Sequence, residues 1–177
     1  MTTALVIAGI LVGAKGSPAG AVEAHVYTLG VTGGVGGSLD VDPDAGLDHR
    51  SLQVSLGVVQ QPRTQLVVRL GNLDLEPEGG FAPLGGGSLT YVNISGEYRL
   101  LRPLYDSGLY LGLGAYRFEG DESGTFDDTA VGATLGLTGE FDLTPRWAVL
   151  VDFSVHYADL EMAETFGMAN AGIAFRF

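Results

Sequence analysis

Residues 147–158 read WAVLVDFSVHYA, and this stretch decides the fold. Apolar, mostly large side chains occupy the odd positions from Trp147 to Tyr157, while the even positions from Ala148 to Ala158 mix small, polar and apolar residues. Successive side chains of a β-strand point to opposite faces, so this period of two predicts a strand with one strongly apolar face. From His25 onward the helical pattern of apolar residues at i, i+3, i+4 and i+7 is not met.

The same alternation recurs along the rest of the chain. It predicts strands within 27–35, 52–58, 65–74, 92–100, 108–119, 129–141 and 169–177, which with 147–158 make eight. A central strand cannot spare a backbone N–H, and the prolines that follow residue 24 all fall between these segments: Pro43, Pro62, Pro77, Pro83, Pro103 and Pro145. The sequence therefore predicts an all-β protein.

The connections between the predicted strands alternate in length and in charge. Those at 61–64, 102–107 and 142–146 are short, whereas those at 38–49, 75–88 and 120–128 are longer, with the connection at 160–165 on the same side. This alternation predicts an antiparallel meander whose short turns all lie at one end. Each short turn carries one arginine (Arg63, Arg102, Arg146). The acidic residues gather at the long-loop end: Asp40, Asp42, Asp44, Asp48, Asp74, Glu76, Glu78, Glu119, Asp121, Glu122, Asp127, Asp128, Asp159, Glu161 and Glu164.

Composition excludes several classes of function. The chain has 177 residues, 28 of them Gly and none Cys, with 9 basic and 21 acidic residues and a net charge of −12. The length fits one domain. Without a basic cluster the chain cannot neutralise a phosphate backbone, which argues against nucleic-acid binding. The absence of cysteine excludes disulfide scaffolds, thiolate zinc sites and cysteine nucleophiles.

The N-terminus carries one continuous apolar segment, at 4–13. It is far shorter than the ~20 residues of a transmembrane helix. Small residues at 19–21 and 22–24 provide cleavage sites, so we predict a signal peptide at 1–24 and a barrel domain at 25–177. The basic residues that usually open a signal peptide are missing from 1–3. The alternative is a flexible apolar segment on a cytosolic protein.

An eight-stranded barrel is either a soluble lipocalin-like cup with an apolar interior or a membrane barrel with an apolar exterior. Its interior is only just wide enough for side chains, which suits the face rich in Gly, Ser, Thr and Ala. The opposite face carries Leu, Val, Ile and aromatic residues, which suits lipid. We therefore predict an up-and-down transmembrane β-barrel, closed because unpaired backbone groups in hydrocarbon cost several kcal/mol. An aromatic girdle is predicted at Tyr27, Tyr98, Trp147 and Tyr157, together with the two terminal phenylalanines.

With these features the chain resembles the small bacterial outer-membrane β-barrels of the OmpA/OmpX/OmpW-like class, over roughly 26–177. The resemblance rests on the exported start, the eight alternating strands, the alternation of short turns and long loops, and a final strand ending in Phe177. It implies the outer membrane of a Gram-negative-type bacterium, periplasmic termini, and contact with membrane lipid and lipopolysaccharide. It also implies that Ile173, Phe175 and Phe177 form the signal read by the barrel-assembly machinery, although Phe177 as a plain lipid-facing residue is an equal alternative. Divalent cations bridging the acidic loops to lipopolysaccharide phosphates are a further expectation.

Charged residues also fall on the inward face. By phase this set is Arg69, Glu97, Arg99, Glu140, Asp152, His156 and Arg176. A buried charge must be paired, so we predict a lumen network in which the three carboxylates partner the three arginines. Its near-zero net charge predicts no strong ion selectivity. The predicted function is structural, with a plugged lumen; the alternatives are a narrow polar conduit or gate, and a channel or carrier for small or apolar solutes.

Catalysis and metal binding are not predicted. Lipid A deacylases and palmitoyltransferases share this scaffold, and Asp152, Ser154 and His156 lie in a row on one strand face. At strand rise they are about 7 Å apart, too far for a nucleophile and base that must meet at ~3 Å. Asp40, Asp42 and Asp44 resemble the start of a calcium loop, but Ala45 replaces its turn glycine and Ser51 its closing glutamate. We therefore expect no enzyme activity, no cofactor and an acidic, solvated loop.

Overall fold

The computed structural model describes residues 26–40, 47–75, 86–101, 105–120, 127–161 and 163–177. They form eight strands: β1 (Tyr27–Ser38), β2 (His49–Gln61), β3 (Thr64–Leu75), β4 (Gly87–Leu101), β5 (Tyr105–Gly120), β6 (Asp127–Asp142), β7 (Trp147–Ala158) and β8 (Thr165–Arg176). The predicted signal peptide at 1–24 lies outside the described residues, as do Asp42, Asp44 and Arg102. Among the described segments, none is a helix long and apolar enough to cross a membrane.

The strands form a closed barrel in chain order, in which every neighbouring pair is antiparallel. Closure occurs between β1 and β8, where Tyr27 N–H donates to Phe177 O at 3.1 Å and Phe177 N–H donates to Tyr27 O at 3.0 Å. A closed barrel has no free strand edge. The predicted all-β, eight-stranded meander is thus confirmed.

Several strands are longer than the alternation alone predicts. β4 begins at Gly87, although 87–90 lacks a run of apolar residues, because its backbone is paired on both sides: Gly87 lies opposite Leu75 of β3 and Gly120 of β5. β2 likewise begins at His49, opposite Gly36. Backbone pairing with neighbouring strands, rather than the local sequence, sets these boundaries.

The apolar face of the barrel points outward. Leu111 and Leu113 are each 65% exposed and Val131 is 79% exposed, within a band of Leu, Val and Ile that continues across all eight strands. A soluble monomer rarely exposes a contiguous apolar patch larger than a few hundred Å². The lipocalin-like alternative required this face to point inward and is therefore excluded.

Aromatic side chains lie on the outer wall at the short-turn end of β1 and of β4 to β8. This aromatic belt comprises Tyr27, Tyr98, Tyr105, Phe141, Trp147, Phe175 and Phe177. Neighbouring rings are in contact: Tyr27–Phe177 and Phe175–Phe177 stack at centroid distances of 5.6 and 6.0 Å, and Trp147 lies tilted against Phe175 at 4.8 Å. Tyr105 and Phe141 belong to it without having been predicted, and stack at 5.8 Å. Tyr157, predicted with this set, lies at the opposite end of β7 and is 50% exposed.

Candidate functional site: the barrel lumen

The described part of the lumen contains two main layers of different chemistry, and a small apolar cluster of Ala148, Leu150 and Ala174 lies beside the first of them. The ionic layer occupies the half nearer the short turns and consists of Arg69, Glu97, Arg99, Asp106, Glu140, Asp142, Asp152 and Arg176. The apolar layer occupies the long-loop half and consists of Leu73, Leu75, Leu89, Tyr91, Tyr116, Phe118, Ala158, Leu160, Ala163, Phe166 and Met168. Both arise mainly from inward-facing strand positions, and Leu160 and Ala163 of the connection between β7 and β8 complete the apolar layer.

Glu97 of β4 is at the centre of the ionic layer and is 3% exposed. Its Oε2 lies 3.0 Å from Arg69 Nη2, while its Oε1 accepts hydrogen bonds from Gln65 Nε2 at 2.9 Å and Thr138 Oγ1 at 3.0 Å. Arg99 Nε adds a longer contact of 4.0 Å to the same oxygen. Strands β3, β4 and β6 therefore all hold this one carboxylate.

Glu140 of β6 forms a second centre, close to the mouth of the barrel. Its Oε2 lies 2.9 Å from Arg99 Nη2 and also pairs with Arg176 of β8. Two carboxylates that were not predicted complete the cluster: Asp106 lies 3.2 Å from Arg99 and Asp142 lies 2.7 Å from Arg176. With them the layer holds five carboxylates against three arginines, so its formal charge is negative rather than near zero.

Asp152 of β7 connects the ionic layer to an aromatic ring. Its carboxylate accepts a hydrogen bond from Tyr110 OH, with distances of 3.2 and 3.1 Å to the two oxygens, and lies 3.8 Å from Arg69 Nε. The Arg69 guanidinium also lies over the Tyr110 ring, 3.7 Å from its centroid. Arg69 thus has an anion on two sides and an aromatic face on a third, an arrangement suited to a planar guanidinium.

His156 takes no part in the ion pairs of the described residues, although it was predicted with that set. It is fully buried on β7, where Nε2 lies 2.9 Å from Ser154 Oγ and Nδ1 lies 3.0 Å from Tyr116 OH. The expectation that Ser154 and His156 are too far apart to touch is therefore wrong. Residues i and i+2 are separated by about 7 Å along the backbone, but the long imidazole leans along the strand and closes the gap.

The apolar layer was not foreseen, because the inward face was expected to carry small residues. Two of the large buried rings, Tyr91 of this layer and Tyr110 beside the ionic layer, fit inside because a glycine faces each of them on the next strand. Tyr91 lies opposite Gly71 and Tyr110 lies opposite Gly136. A Cβ at either glycine would overlap the facing ring. The alternation of β5 could have predicted that these rings point inward, because Tyr110 and Tyr116 share its even positions with Gly108, Gly112 and Gly114.

The ionic half of the lumen contains a small cavity. A cavity of about 20 Å³ lies in the ionic half, lined in part by Gln53, Arg69 and Asp152. This volume is on the scale of a single water molecule. Across the described ranges, no group of three or more His, Asp or Glu side chains is placed to hold a metal ion.

The barrel has counterparts among solved structures but none by sequence. No protein-family model matches the chain, and no curated protein matches it by sequence. Among solved structures, Neisserial surface protein A is similar at 16% identity and a TM-score of 0.63, with 85% of this chain and 96% of that chain covered. The N-terminal β-barrel domain of Pseudomonas aeruginosa OprF is similar at 16% identity and a TM-score of 0.59, covering 85% and 97%. The attachment invasion locus protein Ail of Yersinia pestis follows at 16% identity and a TM-score of 0.51, covering 85% and 96%.

These similarities are in fold. The chain has the fold of the small outer-membrane β-barrels, which confirms the predicted resemblance at that level. At 16% identity they carry no residue roles across.

Proposed function

We propose that the protein is an integral outer-membrane β-barrel with a structural role in the envelope, whose lumen is closed by the ionic and apolar layers. The observation that carries this proposal is the pairing of an apolar outer wall with an interior whose ionic half leaves a cavity of only about 20 Å³. In this proposal the short turns and both termini lie in the periplasm, after export directed by residues 1–24. The long acidic loops lie on the outer surface of the cell, where divalent cations bridge them to lipopolysaccharide.

Single-channel conductance of the refolded barrel in planar bilayers tests the closed lumen. We expect the wild type to insert, as judged by heat-modifiable migration in gels, and to show no conductance steps. Glu97→Ala is expected to remain closed, because the apolar layer blocks the long-loop half independently. Steady conductance of the wild type would overturn the plug and favour the narrow channel, while failure to insert would overturn the membrane location.

The last strand supports a role in assembly. Ile173 and Phe177 are 50% and 53% exposed on the outer wall, and Phe177 stacks on Tyr27 of the strand that closes the barrel. We expect Phe177→Ser to slow assembly by the barrel-assembly machinery more than it slows spontaneous refolding into lipid. Equal slowing of both would leave Phe177 with a lipid-facing role alone.

We propose no catalytic role for Ser154 and His156 despite their contact. Ser154 is 5% exposed and His156 is fully buried, and they lie opposite the buried Met168 and Phe166 of β8. A substrate would have to displace that packing to reach the hydroxyl. The contact is better explained as hydrogen-bond satisfaction of buried polar groups.

A further inference from the structure

The outer wall carries a groove near the short-turn end, across strands β4 to β7. It has a volume of about 530 Å³, which is within the range of small-molecule sites. Its floor is formed where Gly139 of β6 lies between Ser107 of β5 and Val151 of β7. The wall is recessed here because two small residues occupy outward positions that hold Leu, Val or an aromatic residue elsewhere.

The sides of the groove are almost entirely apolar. They are formed by Tyr98, Leu100, Leu109, Leu137, Phe141 and Phe153. The space above Gly139 is open, because a Cβ placed there would meet only Phe141 Cε2, at 3.6 Å. Tyr98 and Phe141 belong to the aromatic belt, so one end of the groove begins at the belt and the other continues into the apolar band.

A neighbouring outward glycine shows that small size alone does not make the groove. A Cβ placed on Gly96 of β4 would likewise meet no atom within 4 Å, but Gly96 lies between Leu66 and Leu111 and lines no part of the groove. Gly139 differs because its neighbour Ser107 is also small, so two adjacent positions are recessed together.

We propose that this groove binds one acyl chain of a glycerophospholipid from the periplasmic leaflet. The inference rests on the proposed function, since it requires the barrel to span the membrane with its short turns in the periplasm. Its apolar lining is continuous with the lipid-facing band, and its entrance lies at the depth where aromatic rings mark the interface of such barrels. Exposed Arg146 lies in the turn that joins β6 to β7, at the same short-turn end of the barrel, and would provide a cation for the lipid phosphate.

Photo-crosslinking tests this site. The full barrel is refolded in bilayers of phosphatidylethanolamine and phosphatidylglycerol containing a phosphatidylglycerol with a diazirine partway along one acyl chain, and labelled peptides are mapped by mass spectrometry. We expect peptides carrying Ser107, Gly139 and Phe153 to be labelled several-fold above lipid-facing peptides of β1 to β3. Gly139→Leu should reduce that labelling to the level of the other strands, whereas Gly96→Leu should leave it unchanged.

The outcomes separate this inference from the proposed function. Failure of the wild type to insert refutes both. Insertion with uniform labelling around the barrel, or equal effects of the two glycine variants, overturns the groove alone. Preferential labelling by a lipid A carrying the same diazirine would also overturn it, because that lipid belongs to the opposite leaflet. If Gly139→Leu does not fold, Ser107→Leu fills the floor from the next strand and is judged by the same labelling.

Discussion

In the ionic layer a carboxylate such as Glu97 is held by three or four polar partners, each at a fixed distance, whereas in the apolar layer Tyr91 is held by the shape of Gly71 and its neighbours. The first arrangement depends on charge, because removing the oppositely charged partner leaves a buried charge without its ion pair. The second depends on volume, because a close-packed ring cannot absorb an extra methyl group without moving. The same barrel thus resists two different kinds of substitution in its two halves.

The largest effect is expected in the ionic layer. Arg69→Gln leaves Asp152 buried without its cation and Glu97 with only the longer contact to Arg99, so we expect a loss of about 3–5 kcal/mol in the free energy of unfolding. Urea unfolding in lipid vesicles, followed by the fluorescence of the single tryptophan, Trp147, measures it.

The matched control is Arg117→Gln, which removes the same charge from an exposed site. Arg117 is 55% exposed, and its partners Glu119 and Asp127 are 53% and 60% exposed. Exposed pairs contribute about 0–1 kcal/mol. Similar losses for both arginines would show that the lumen is hydrated enough to screen the ionic layer.

A smaller effect is expected from overpacking the apolar layer. In Gly71→Ala the new methyl group overlaps Cζ and OH of Tyr91, so we expect a loss of about 1–3 kcal/mol. Gly96→Ala places the same methyl group on the outer face, with nothing within 4 Å, and should change stability by less than about 0.5 kcal/mol. The same unfolding titration compares them, and equal values would mean that Tyr91 moves freely.

Strand phase identified several members of the ionic layer but missed Asp106 and Asp142, and it did not predict the apolar layer. In an alternating strand, the position of a charged residue relative to its apolar neighbours tells which face it lies on. This alternation predicts that Arg69 and Glu97 point into the lumen. The contact between Tyr91 and Gly71 could not be predicted in this way. Gly71 lies twenty residues earlier, and the two residues meet only through the register of β3 against β4. Register depends on turn geometry and pairing along whole strands. The contact between Ser154 and His156 was missed for a related reason: backbone spacing does not fix side-chain direction.

A hydrogen bond inside the apolar layer provides the next test. Tyr91 OH donates to Gln53 Oε1 at 2.8 Å, and Gln53 is 2% exposed. Tyr91→Phe keeps the ring but leaves that oxygen without its donor, at an expected cost of about 1 kcal/mol. Tyr98→Phe, on the exposed belt, should cost less than about 0.5 kcal/mol. A neutral Tyr91→Phe would indicate that shape alone stabilises this layer.

The smallest effect concerns charge at the long-loop end, beyond the apolar layer. Asp40 accepts hydrogen bonds from the Ser38 hydroxyl at 2.6 Å and from the backbone N–H groups of Glu164 at 2.7 Å and Thr165 at 3.3 Å. Partial burial by itself raises the pKa of Asp40, but these hydrogen bonds outweigh it and hold the pKa below its ordinary value of 3.8. The carboxylate thus ties the connection after β1 to the connection before β8.

The pH dependence of this tie follows from the direction of the shift. A carboxyl group whose pKa is lower in the folded state contributes stability above its unfolded pKa, and that contribution is lost as pH falls through the folded pKa. We expect Asp40→Asn to cost at most about 1 kcal/mol at neutral pH, since the site is exposed. The difference from wild type should vanish in acid, below the folded pKa. A difference that persists there would mean that Asp40 stabilises the barrel through its shape rather than its charge. The connections at the long-loop end would then depend on packing, as the apolar layer does.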